Sequence, residues 1–157
     1  MANFIGEFDC KLDAKGRLML PSGLRKQLDP AAQERFVLNR GFEKCLVLYP
    51  KNEWEGISSE VNKLNQYVKK NREFIRYFYR GASELELDNT GRLLLPKRLL
   101  DYAGAEKEVV LFAYSNRIEV WDKKTYEGLL TDEPDDFADL AEEVMGKNQN
   151  NTGNELS

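Results

Sequence analysis

From Phe4 to Leu12 the chain alternates apolar and polar residues, a period of two that predicts a strand with one buried face. Asp13, Ala14, Lys15 and Gly16 follow. The aspartate can bond the backbone two residues on and the glycine can take a positive φ, so the chain should reverse there. Leu18 and Leu20 alternate again at strand spacing, Pro21 suits the first position of a helix, and Leu24 with Leu28 continue at helical spacing. Arg35 to Leu38 and Cys45 to Tyr49, either side of Asn39-Arg40-Gly41, predict a hairpin. Beyond it, Trp54, Ile57, Val61 and Leu64 share one helical face, and a second helix over Asn71 to Tyr79 carries Phe74, Ile75 and Phe78.

The same order then recurs. Tyr79 to Leu87 predicts a strand, Asp88-Asn89-Thr90-Gly91 a turn, and Arg92 to Leu95 a short strand. Leu99, Leu100 and Ala103 form a helical set after Pro96, with Gly104 as its stop. Glu108 to Ala113 and Arg117 to Trp121 make a second hairpin through Ser115-Asn116. Set in register, residues 13–28 and 88–103 share seven identities, where unrelated sequences would share about one. Phe4 and Tyr79, Gly6 and Gly81, and Leu12 and Leu87 keep the same spacing of 75, so the repeat begins before the motif. A unit of about 45 residues is near the lower limit for an independent core. The two copies should therefore pack together.

Composition refines this picture. The 157 residues include 23 Lys and Arg, 27 Asp and Glu and no histidine, for a net charge of −4. Residues 131–157 carry −7, leaving residues 1–130 at +3, within which residues 1–80 are the basic part at +5. For a local anionic partner, that distribution matters more than the total. Thr131 to Met145 could form an acidic amphipathic helix, whereas the Asn-rich Lys147 to Ser157 has too few apolar residues to order itself. The lack of histidine lowers the expectation of triad hydrolysis or zinc chemistry, and Cys10 and Cys45 are too isolated for a disulfide framework or a metal site. No cofactor is expected. With no membrane-length apolar run and no signal-peptide layout at the N-terminus, a cytoplasmic protein is expected.

The candidate chemistry lies at the two turns. Each carries an arginine beside its glycine: Arg17, preceded by Lys15, and Arg92, preceded by Thr90. An arginine on a stiff support can bond O6 and N7 of guanine in a bidentate manner, and a turn or ribbon can enter the major groove where those atoms are displayed. The competing reading is that Asp13 with Arg17, and Asp88 with Arg92, only brace their turns. That reading weighs more at the second copy, where Thr90 replaces the extra cation. The cations around Arg72 and Arg76 read as a solvated helix face in preference to a groove contact.

A duplicated Asp-x-x-Gly-Arg-x-x-x-Pro, with Leu48-Tyr49-Pro50, Trp54-Glu55, Arg76-Tyr77-Phe78 and Gly81-Ala82, resembles the MraZ family of bacterial transcriptional regulators, built from AbrB-like swapped hairpins. The resemblance covers about residues 4–130. It implies an α+β fold, a β-rich pseudo-symmetric barrel from two AbrB-like repeats at 4–50 and 79–125. A helical connector would occupy 51–78, and a closing helix and partly disordered acidic tail 126–157. It also implies a ring-like homo-oligomer, associated with the nucleoid, that binds short direct repeats in double-stranded DNA before the cell-division and cell-wall gene cluster. Lys15, Arg17 and Arg92 occupy the motif positions expected to meet DNA. Two other functions compete. An antitoxin-like or scaffold oligomer would hold a protein partner, and an enzyme could pair Asp13 with Asp88 as an acidic dyad. The basic residues around Asp13 argue against the dyad.

Overall fold

The computed structural model describes residues 2–131 and 137–156, with side chains for 2–130 and 137–146. Its centre is a six-stranded antiparallel sheet. Four strands form the two predicted hairpins: β3 (Arg35–Arg40) with β4 (Leu46–Pro50), and β7 (Glu108–Ser115) with β8 (Arg117–Asp122). The strand that opens each repeat crosses to the other copy. β1 (Phe4–Lys11) pairs with β7, and β5 (Ser83–Glu86) pairs with β3, giving the order β1-β7-β8-β4-β3-β5. The short motif strands β2 (Arg17–Met19) and β6 (Arg92–Leu94) leave this sheet and pair with each other.

Strand pairing thus gives an α+β fold with a large open sheet and a separate two-stranded ribbon, and the expected β-rich barrel is not closed by this pairing. β1 and β5 are the two ends of the sheet, and the isolated bridge Leu12 to Leu18, with the Asp13 N–H donating to Arg17 O, links the end of β1 towards the ribbon. The tight turns cause the break. Each redirects the chain immediately after its first strand, so β2 and β6 meet across the pseudo-two-fold before a continuous ladder can form.

Burial follows the alternation. Phe36, Leu38, Leu46, Leu48, Val109, Leu111, Ile118 and Val120 point to a main core shared with Leu18, Leu20, Leu24, Leu93, Leu95 and Leu99 of the two motifs. Val37, Val47 and Tyr49 point to the other side of β3 and β4, where Trp54 covers them. Trp54 lies on α2 (Lys51–Asn62) and stacks on Phe78 of α3 (Lys69–Tyr79), with centroids 5.5 Å apart. Helix α3 includes Tyr79, where alternation predicts a strand, because Tyr79 packs edge-on against both Trp54 and Phe78. Strand β5 consequently starts four residues later than the pattern suggests.

The short helices α1 (Ser22–Arg25) and α4 (Lys97–Ala103) follow the ribbon strands. Pro21 and Pro96 sit one position before these helices, in extended conformation, and not at their first helical residue. Residues 1–123 form one compact unit, and residues 124–157 form a second. Helix α5 (Lys123–Thr131) leads into the second unit, which contains α6 (Phe137–Leu156), with Phe137 and Val144 exposed. The run Asp132 to Asp136, expected in the acidic helix, lies outside the described residues. No described helix is long and apolar enough to cross a membrane.

Candidate nucleic-acid interface

The two turns are built alike. The Asp13 carboxylate accepts from the backbone N–H groups of Lys15 and Arg17, both at 2.9 Å, and from Arg17 Nε at 2.6 Å. Asp88 accepts from the N–H groups of Thr90 and Arg92, from Thr90 Oγ1 at 2.8 Å, and from Arg92 Nε at 3.0 Å. Gly16 and Gly91 adopt φ of 82° and 84°, the left-handed region where a side chain would be strained. Each glycine carbonyl then accepts from the other copy: Leu20 N–H bonds Gly91 O and Leu95 N–H bonds Gly16 O, both at 3.0 Å. The identities between the two motifs therefore have a shared purpose. They close two turns and lock each to the opposite strand.

In the ribbon, Arg17 pairs with Leu94 and Met19 with Arg92. Period-two alternation places Leu18 and Leu93 inward, where both are fully buried. Arg17, Met19, Arg92 and Leu94 share the outer face, with Met19 and Leu94 half exposed. Two arginines from distant parts of the sequence thus stand diagonally opposite on one small face. Each is held by its aspartate through Nε, and the arginine side chains keep about a third of their surface exposed (31% and 30%). No described residue accepts from the terminal Nη1 or Nη2 of either guanidinium. Bracing thus occupies only the Nε side of each guanidinium, and the bracing pair is formed at the second copy as at the first. Lys15 lies exposed on its turn.

The electrostatics suit a fixed anionic brace. Donation from the Arg17 backbone N–H, with the Arg17 side chain and Lys15 N–H adding to it, holds the Asp13 carboxyl below the usual range. The Arg92 backbone N–H, with both Thr90 donors and the Arg92 side chain, does the same to Asp88. Burial opposes these effects in both cases without overcoming them. Both carboxyls shift the same way, whereas an acid-base dyad needs one pushed up.

A group with a lowered folded pKa stabilises the fold fully above its unfolded value, about 3.9 for aspartate. That stabilisation is lost as pH falls through the lower folded value. The melting-temperature gap between the natural chain and Asp13→Asn, Asp88→Asn is accordingly expected to be constant above about pH 5 and to shrink under acid. Calorimetry across pH 2 to 7 checks this, and a gap that widens under acid would contradict the assigned bonds.

The other candidates fall elsewhere. Burial raises the Cys45 thiol to about 12 and the Cys10 thiol to about 11, so both are unreactive fillers at neutral pH. Among the described residues no group of His, Cys, Asp or Glu could hold a metal ion. The cations of α3 are exposed, with Arg72 donating to Gln66 O at 2.9 Å. Beside α3 opens a groove of about 490 Å³ lined in part by Arg40, Phe42, Tyr77, Tyr102 and Arg117. There the Arg40 guanidinium lies 5.1 Å from the Tyr102 ring centre.

One cation near the turns is not evident from the motif itself. Arg25, at the end of α1, brings its guanidinium over Gly91 of the second turn. At the first turn the equivalent neighbour of Gly16 is Leu100 of α4, whose Cδ1 lies 3.3 Å from where a Cβ would stand. The signal is present in the repeat register, where position 25 corresponds to position 100 and carries arginine in place of leucine.

Comparison with known proteins agrees with this duplication. A family model described as "MraZ protein, putative antitoxin-like" matches twice, over residues 3–77 and 78–148. A protein of Christiangramia forsetii named Transcriptional regulator MraZ is 54% identical over 147 residues, covering 93% of this chain and 95% of that protein. Proteins of the same name from Flavobacterium psychrophilum and Cytophaga hutchinsonii are 52% and 42% identical, covering 93% and 92% of this chain and 94% and 96% of their own lengths. With both copies matched and the motif turns locked to one another, the chain belongs to the MraZ family.

Proposed function

We propose that this chain is a DNA-binding transcriptional regulator, not an enzyme, and that it reads short direct repeats in the promoter of a cell-division and cell-wall gene cluster. The observation that carries the reading is the shared outer face of the β2–β6 ribbon. Two arginines there are fixed through Nε and keep about a third of their side-chain surface exposed. That arrangement suits bidentate bonding to guanine in a major groove wide enough for a two-stranded ribbon. The name shared by the relatives, Transcriptional regulator MraZ, supports the same reading. Arg17 and Arg92 would contact base edges, and Lys15 would contact phosphate.

One ribbon presents too little surface for specificity, so the working form is taken to be a ring-like homo-oligomer of this chain. Several ribbons on spaced sites then add through effective concentration. The end strands β1 and β5 and exposed apolar residues such as Ile5 and Phe42 supply surface for such contacts. The test combines light scattering with footprinting on the DNA upstream of the chain's own gene. A multimer protecting evenly spaced short repeats is expected. A micromolar monomer, or no protection at moderate salt, would overturn the proposal. The antitoxin-like description of the family favours a second reading, a protein-binding oligomer. It would show protein capture with no footprint.

A further inference from the structure

We infer that Arg25 is the phosphate-contacting cation of the second turn, taking there the place that Lys15 takes at the first; this rests on the reading of the ribbon as a DNA-binding element. The two turns differ in sequence at one chemically important position. Lys15 extends into solvent, whereas Thr90 spends its hydroxyl on Asp88. By the motif alone the second turn has one cation fewer.

The fold makes up that difference from the other repeat. Because Leu20 N–H bonds Gly91 O, the chain leaving β2 runs directly beside the second turn, and α1 begins there. The Arg25 guanidinium then lies over Gly91, the residue next to Arg92. At the pseudo-symmetric position Leu100 covers Gly16 with an apolar side chain, so packing alone does not require a cation here. The Arg25 side chain is 42% exposed, and its ion-pair partner is Glu34, at 3.4 Å and itself 58% exposed. An exposed pair of that length is weak and screened by salt, so a phosphate can compete for the guanidinium. Each turn then presents two cations: Lys15 with Arg17, and Arg25 with Arg92. An interaction of this kind positions the protein on the duplex without reading its sequence.

The test uses the full-length chain. Arg25→Leu copies the residue that nature places over the first turn, and Arg25→Gln removes charge while keeping length. Binding to a duplex from upstream of the chain's own gene and to a scrambled duplex is measured from 50 to 200 mM salt, beside Arg17→Ala. Loss of the Arg25 charge should lower affinity for both duplexes in proportion. It should also reduce the slope of log K against log salt by about 0.9 for each phosphate that is no longer neutralised. Arg25→Lys should restore most of the slope, and Glu34→Gln should leave it unchanged or steeper. An unchanged slope in both charge-removing variants, with Arg17→Ala still impaired, overturns the role of Arg25 and leaves the DNA-binding reading standing. If Arg17→Ala also binds normally, that reading falls with it.

Discussion

Arg17→Ala is expected to weaken binding to the cognate repeats by about 1 to 3 kcal/mol per engaged chain, or roughly 5- to 150-fold, with further losses where several chains share one array. The fold should survive. The ion pair with Asp13 is about one third exposed, and solvent and salt screen such a pair so that it adds little to stability. The affinity loss should therefore exceed the stability loss. Arg17→Lys should recover non-specific binding but not discrimination, because an ammonium cannot present the planar fork. Arg92→Ala should cost about as much as Arg17→Ala, since the two brackets and their exposures match. Lys15→Ala should weaken binding to all sequences alike and flatten the salt dependence. Thermal melting and operator affinity measured on the same variants decide the matter. A fully folded Arg17→Ala protein with normal affinity for the repeats would sink the assignment of the ribbon.

The second large effect concerns stability. Leu18 and Leu93 face each other beneath the ribbon, and both are completely buried. Leu18→Ala removes buried methyl groups at a site where two locked turns limit collapse, so the cost should be about 2 to 5 kcal/mol. A domain has only about 5 to 15 kcal/mol in total. Met19→Ala and Leu94→Ala, on the exposed face of the same two strands, should change stability by about 0.5 kcal/mol or less. Chemical denaturation of these variants tests whether the ribbon is anchored from below. Equal effects on the two faces would show that its inward and outward sides are misassigned. Any DNA defect in the outer pair, with stability intact, would extend the binding face beyond the arginines.

The elements with strong local signals were legible. Asp, Gly and Pro mark the turns and helix starts, and the short apolar runs of β3, β4, β7 and β8 on either side of Asn39-Arg40-Gly41 and Ser115-Asn116 mark the hairpins, because these features depend on backbone geometry within a few residues. Alternation was a poorer guide at Tyr79. Its aromatic ring serves a strand pattern and a helix equally well, and packing on Trp54 decided for the helix. The groove beside α3 had no signal, since its lining joins residues from 39 to 119.

By itself the sequence determined that a turn, strand and helix unit occurs twice and that each turn holds an aspartate, a glycine and an arginine. A period of two tells which face of a strand is buried, but it does not name the partner strand. Only the tertiary structure decided that β1 pairs with β7 and β5 with β3, so that each repeat completes the sheet of the other. The same long-range pairing brings Arg17 and Arg92 onto one face although 75 residues separate them. It also brings Arg25 to a turn in the opposite repeat. These placements rest on hydrogen bonds and packing between distant segments, which no local pattern encodes.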